Sequence, residues 1–225
     1  LTDDPVVLAH AEINADGTMT VGQMTYRTVV VPQAPYLSLE AAKTLFPRHG
    51  FDGTSMDAIA AEAGVSKLTV YSHFNDKETL FVEAVRGKCQ ELLPDELFLP
   101  GAGLPIRQAL LKIGRSFLAL VSSEVAMNLH RMILADPRNG PKLGQMFWEA
   151  GPARITESFR GFLDTMVASG QLEIDESAVA AGHFLCLLKG AVNVRMLCCD
   201  SQSAPSPEQD QAHVEQVVDF FLRAY

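Results

Sequence analysis

"LFPRHGFDGTSMDAIAAEAGVSKLTVYSHFNDKETLF", residues Leu45–Phe81, is the stretch that decides how this 225-residue chain folds. Slightly upstream, Leu39, Ala42, Leu45 and Phe46 fall at i, i+3, i+6 and i+7, one face of a helix. Gly50 ends that helix and Phe51 follows. Thr54 or Ser55 caps the next helix, whose inner face is Met56, Ile59, Ala60 and Ala63. Gly64 supplies a tight turn, expected at positive φ. Ser66 then caps a short helix holding Lys67 to Phe74, and Asp76 starts a fourth through Lys77, Leu80, Phe81, Ala84 and Val85. A helix, a glycine turn and a second short polar helix make the helix-turn-helix pattern. Ala60 and Gly64 let the two helices cross closely, with Val65 and Val70 filling the space between them.

In that pattern the second helix enters the DNA major groove, about 12 Å wide. Its outward residues are Lys67, Leu68, Thr69, Tyr71, Ser72 and His73. They offer hydroxyls, a ring and a cation, and no carboxylate. The net charge of −9 argues at first against a nucleic-acid partner. Its distribution matters more. Residues 40–90 carry −1 and residues 91–225 carry −5, and from Ala63 to Asn75 there is no acid at all.

Leu45–Phe81 resembles the DNA-binding domain of the TetR family of bacterial repressors. The resemblance is carried by the aromatic after Gly50, the Thr-Ser cap, "IAAEAGVS" (59–66), "TVYSHF" (69–74) and "DKETLF" (76–81). "LHRMILAD" (129–136) and "FWEAGPARI" (147–155) resemble the AefR-like subgroup, whose members often sit beside efflux operons. The resemblance implies an all-α fold: a helix-turn-helix domain followed by a helical domain that dimerises and binds a ligand. It implies a homodimer on a palindromic double-stranded operator, acting as a repressor and released by a small hydrophobic or aromatic effector. It places Lys67, Thr69, Tyr71 and His73 at bases and phosphates, Thr54 and Ser55 at phosphate, and Lys77 at another phosphate beside a helix N-terminus. Phe46, Ile59, Val70 and Phe74 become core. Two departures stand out. Residues 31–36 carry no cation where the family has a basic arm, and Pro47 sits in the first helix, where an interior proline costs up to ~3 kcal/mol. Weaker DNA affinity is the expectation.

The implied organisation is an atypical extension over 1–36, a DNA-binding domain over 37–90 and a ligand-binding and dimerisation domain over 91–225. Residues 1–36 read as strands: Val6–Ala9, a turn at Asn14–Gly17, then Tyr26–Val31, with Pro32 and Pro35 as breaks. This stretch also resembles a β-rich segment of rhamnosidase-like glycoside hydrolases. It is either a fusion remnant or an extension that packs on the DNA-binding domain or supplies a hairpin near the operator.

Gly and Pro positions cut the remainder into helices expected at 106–121, 125–134, 142–150, 153–168, 176–197 and 208–224. In the family the last two pair with their two-fold mates. Two apolar stripes fit that use: Leu185, Leu188, Val192 and Met196, and Val214, Val217, Val218 and Phe221. Gly182 and Gly190 would allow close approach. A ligand pocket is expected among the middle helices, from Phe117, Met127, His130, Arg131, Phe147, Trp148, His183 and Phe184.

Other classes find little here. There is no glycine-rich phosphate loop after a strand, no Gly-x-Ser-x-Gly and no His-Glu-x-x-His, so an enzyme is not expected. His183 and Cys186 stand three apart, too few for a metal site, and no cofactor is expected. Cys89, Cys186, Cys198 and Cys199 fit reduced thiols rather than a disulfide framework. The acidic start is unlike a secretory signal, and no run of about 18 uncharged apolar residues occurs. A cytoplasmic location without membrane contact is the expectation.

Overall fold

A computed structural model describes residues 11–13, 19–21, 24–26, 34–99, 104–136, 138–198 and 205–225. The chain divides into two units, Leu1–Ala84 and Val85–Tyr225.

The first unit opens on an antiparallel sheet of three short strands, β1 (Ala11–Ile13), β2 (Met19–Val21) and β3 (Met24–Tyr26), in the order β1-β2-β3. Ala11 pairs with Val21, and Met19 with Tyr26. The strand character expected of the extension is present at other positions. Val6–Ala9, the Asn14–Gly17 turn and residues 27–31 lie outside the described residues, while β1 and β2 fall where no strand was expected.

Four helices follow. α1 (Ala34–Gly53) starts five residues earlier than the apolar pattern indicated. Pro35 stands at its second position, where a missing amide costs nothing. Pro47 is accommodated inside α1, three residues before a break at Gly50. α2 (Met56–Ala63), α3 (Lys67–His73) and the first half of α4 (Lys77–Leu92) complete the unit. Three phenylalanines hold its core: Phe46 stacks on Phe51 at 5.5 Å, and both meet Phe81 edge-on at 5.6 and 5.8 Å. Phe46, Ile59, Val70 and Phe74 are all buried. A buried side chain of this size contributes about 1.5–3 kcal/mol.

The second unit holds a 3-10 turn at Asp95–Phe98 and six helices: α5 (Ile106–Ser122), α6 (Glu124–Ala135), α7 (Gly140–Ala150), α8 (Pro152–Ala168), α9 (Ser177–Cys198) and α10 (Pro207–Ala224). Each lies within two residues of its expected span. Ser206 builds a capping box with Gln209, and Pro207 stands at the first helical position, which fixes the start of α10. α5, α8, α9 and α10 enclose the core. Phe184 lies 4.9 Å from Phe159 and 5.0 Å from Phe221, ring to ring. Arg107–Asp219 and Arg115–Glu215 pair across α5 and α10 at the surface.

Candidate nucleic-acid interface

The α2–turn–α3 geometry follows from three small residues. Ser55 caps α2, its Oγ accepting from Ala58 N at 3.0 Å. Gly64 ends α2 at φ 67° and ψ 26°, the left-handed conformation that closes a helix, and Val65 N donates back to Ala60 O at 3.0 Å. Ser66 restarts the chain as α3, its Oγ accepting from Thr69 N at 3.0 Å. Val70 is fully buried beneath α3. The opposite face is left to solvent.

That face carries Lys67, Leu68, Tyr71, Ser72 and His73, all exposed, with Leu68 80% exposed. A leucine so open on a seven-residue helix has no packing role in the subunit. It suits apolar contact with a thymine methyl, as the Tyr71 ring does. Lys67 is not a free cation: its Nζ lies 2.8 Å from Asp57 Oδ1 of α2 and 5.8 Å from the centre of the Tyr71 ring. The hydrogen bond to Asp57, then its charge, raises the Lys67 pKa above the ordinary lysine value.

Two expected contacts, those of Thr54 and Thr69, are corrected, and Ser55, Ser72 and Lys77 already have partners within the chain. Thr54 is only 1% exposed, and its hydroxyl donates to Gly50 O at 2.8 Å, so it braces the α1–α2 junction instead of reaching phosphate. Thr69 is buried, its hydroxyl 2.6 Å from that of Ser66, and it too is structural. Ser72 turns its hydroxyl onto Thr69 O at 2.8 Å. Lys77 is half-buried, donates to Phe51 O at 2.6 Å and lies over the Phe51 ring at 4.4 Å. It locks α4 onto α1 and retains two N–H groups. Ser55 stays exposed but already serves as a cap.

Residues 39–84 match the family of bacterial regulatory proteins called tetR, and residues 108–225 match the C-terminal domain of AefR-like transcriptional repressors. The second match alone covers more than half of the chain. The chain belongs to the TetR family. A TetR-family transcriptional regulator from Mesorhizobium loti is 29% identical, with a TM-score of 0.72 over 85% of this chain and 96% of that one. The flavonoid-responsive regulator FrrA is 33% identical, with a TM-score of 0.65 over the same shares. RaaS, a transcriptional regulatory protein of Mycobacterium tuberculosis, is 29% identical over 154 residues, 67% of this chain and 65% of RaaS. IcaR, a negative transcriptional regulator of Staphylococcus aureus, is 35% identical over 48 residues, 21% of this chain and 26% of IcaR. The chain thus spans less than two thirds of these two relatives. The family consists of transcriptional regulators, not enzymes, and the glycoside-hydrolase resemblance of residues 1–36 finds no support among these matches.

The TetR helical domain differs from expectation in its two candidate sites. Seven of the eight residues assigned to the dimer face, Leu185, Leu188, Met196, Val214, Val217, Val218 and Phe221, are buried in the subunit's own core, and Val192 is half-buried. The apolar residues that α9 and α10 turn outward are Val179, Leu187 and Val194, and Phe220. α9 is also long and apolar enough to cross a membrane by length and composition, although its charges interrupt the apolar run. Only 28% of its most apolar window is buried within the chain.

The eight pocket candidates do not converge. Phe117, Met127 and Phe184 are core. Trp148 is 57% exposed, and His183 lies at the surface with Nδ1 3.1 Å from the Tyr225 hydroxyl. His130 and Phe147 meet edge to face at 4.8 Å. Burial lowers the His130 pKa, against the opposing effect of its bond to Ala126 O. Arg131 donates to the carbonyls of Met196 and Leu197, tying α6 to the end of α9. Among the described residues, cavities of about 250 and 320 Å³ open elsewhere, one between α5, α9 and α10 and one beside Leu97, Lys112, Phe162 and Met166; none of the eight lines either. No group of three or more metal-ligating side chains occurs among the described residues.

Proposed function

We propose that this chain is a ligand-responsive repressor that binds a palindromic operator as a homodimer, with the DNA-binding domain over 37–90 and the ligand-binding and dimerisation domain over 91–225. The observation that carries DNA reading is the outward face of α3, acid-free and ending in the exposed Leu68 and Tyr71 side chains. Lys67, Leu68, Tyr71 and His73 read or position the duplex. A helix of seven residues spans only a few base pairs, so two half-sites are needed for useful specificity. Leu187 and Val194 of α9 and Phe220 of α10 supply an apolar face for the second copy. Burying it against a symmetric mate follows the isologous logic of two-fold dimers.

Repression is supported by the AefR-like match and by IcaR, a negative regulator by name. Release by a small apolar or aromatic molecule is supported by FrrA, named as flavonoid-responsive. Such a ligand acts only if it prefers the form that does not bind DNA. The target being chromosomal DNA, the site of action is the cytoplasm. The reading is tested by selecting duplexes from a random pool with the full chain. Enrichment of a two-fold symmetric sequence supports it, and a pool that stays random refutes it.

A further inference from the structure

α9 does not run straight. At Gly190 the backbone takes φ 54° and ψ −172°, so the helix is two segments joined at a bend. Glycine adopts that φ without strain. The bend is braced from α10. His213 Nε2 donates to Leu188 O at 3.0 Å, and a β-carbon at Gly190 would stand 3.6 Å from the same imidazole. Asn193, after the bend, donates to Val121 O at 3.2 Å and ties α9 to α5.

Beside the bend lies the cavity of about 250 Å³ between α5, α9 and α10. Leu118, Leu188 and Val192 form its apolar wall, and Lys189, Asp210 and His213 stand at its polar side, with Arg195 nearby. Among the described lining residues Lys189 and Arg195 outnumber the one carboxylate, Asp210, although the whole chain carries −9. Small-ligand sites combine apolar walls with a few placed polar groups, and drug-sized ligands need ~300 Å³ or more. This cavity therefore suits a smaller body with a single anionic group.

We propose that this cavity binds a small monocarboxylate with an apolar body, its carboxylate facing Lys189 and His213 and its hydrocarbon against Leu118, Leu188 and Val192, and that this compound is the effector. The effector role rests on the regulator reading above; the carboxylate site does not. The α9 segment beyond the bend carries Val194, part of the face assigned to the second copy. A ligand that favours one bend of α9 shifts the arrangement of that face, and couplings of this kind change affinity by about 5–150-fold.

The test uses the full chain with octanoate and benzoate, compared with octanol, benzyl alcohol and octylamine, by titration calorimetry. At least one carboxylate should bind once per chain, with the alcohols and the amine about tenfold weaker or worse. Lys189→Met should weaken carboxylate binding by about tenfold without moving the melting temperature of the free protein, and His213→Asn should weaken it as well. Absence of carboxylate binding up to about 10 mM, equal binding of the alcohol, preference for the amine, or unchanged binding by Lys189→Met overturns the site. The bound carboxylate should also lower affinity for the selected operator. Carboxylate binding without that effect overturns the effector role alone. A chain that selects no DNA sequence overturns the regulator reading, whatever the carboxylate result.

Discussion

Asp57 on α2 holds Lys67 of the recognition helix in an ion pair, Oδ1 to Nζ 2.8 Å. The motif's outward lysine is thus neutralised within the free protein, in a chain that is already acidic. Both side chains are well exposed, so the pair contributes little to folding. Its effect falls on DNA. Asp57→Asn should strengthen binding to non-operator duplex and steepen the salt dependence by about 0.9 in log–log slope, one more phosphate neutralised. Fluorescence anisotropy between low and moderate salt measures both. An unchanged slope would mean that Lys67 reaches no phosphate.

Thr54 and Ser55 are adjacent and should separate cleanly. Thr54→Val removes a buried hydroxyl that donates to Gly50 O and leaves that bond unmade. It should cost about 1–3 kcal/mol in denaturant unfolding, with DNA affinity per folded molecule unchanged. Ser55→Ala removes the α2 cap, worth about 1 kcal/mol. Loss of DNA binding at full stability in Thr54→Val would contradict the structural role given to this threonine.

The turn and caps of the helix-turn-helix were legible because each depends on one residue type in one conformation. Gly64 must take positive φ, Ser66 must cap, and nothing distant changes that. Which apolar residues of α9 and α10 face outward was not legible, for a geometric reason. Val218 and Phe220 are both apolar and two positions apart, so they point to nearly opposite sides of α10. Only the packing of α5 and α9 decides that Val218 is core and Phe220 faces out. Which side chains line a cavity was hidden for a similar reason. Aromatic content marked Phe117 and Phe184, but they fill the core, while the cavity between α5, α9 and α10 is lined by Leu118, Leu188, Lys189 and His213, none of them marked by aromatic content. Thr54 and Thr69 were misread because packing buries both side chains and their hydroxyls bond to near neighbours in sequence, Gly50 O and Ser66 Oγ. Lys67's carboxylate partner stands ten residues upstream, outside the acid-free run.

The same geometry predicts opposite outcomes for two substitutions on α10. Phe220→Asp should yield a folded monomer in sedimentation velocity at micromolar concentration, because the side chain is 55% exposed in the subunit. Val218→Asp should instead unfold the chain, since it buries a charge in the core. A dimeric Phe220→Asp would remove this face from the interface.

Cys89 gives a pH test. Burial, opposed weakly by the Arg154 charge, pushes its thiol up from an ordinary 9.0 to about 11. The native thiol keeps its proton where the unfolded one loses it. Stability from this burial is therefore intact below pH 9.0 and lost as pH rises towards about 11. At pH 8.5 iodoacetamide should label unfolded Cys89 much faster than native Cys89. Equal rates would show the thiol to be open.

The most direct measurement is the affinity of Tyr71→Ala for the selected operator and for random duplex, at one salt concentration. Operator binding should weaken by about 5–150-fold, the worth of a base contact, with random-duplex binding nearly unchanged and the fold intact. Wild-type operator affinity in Tyr71→Ala, or equal losses on both duplexes, would contradict sequence reading by the outward face of α3.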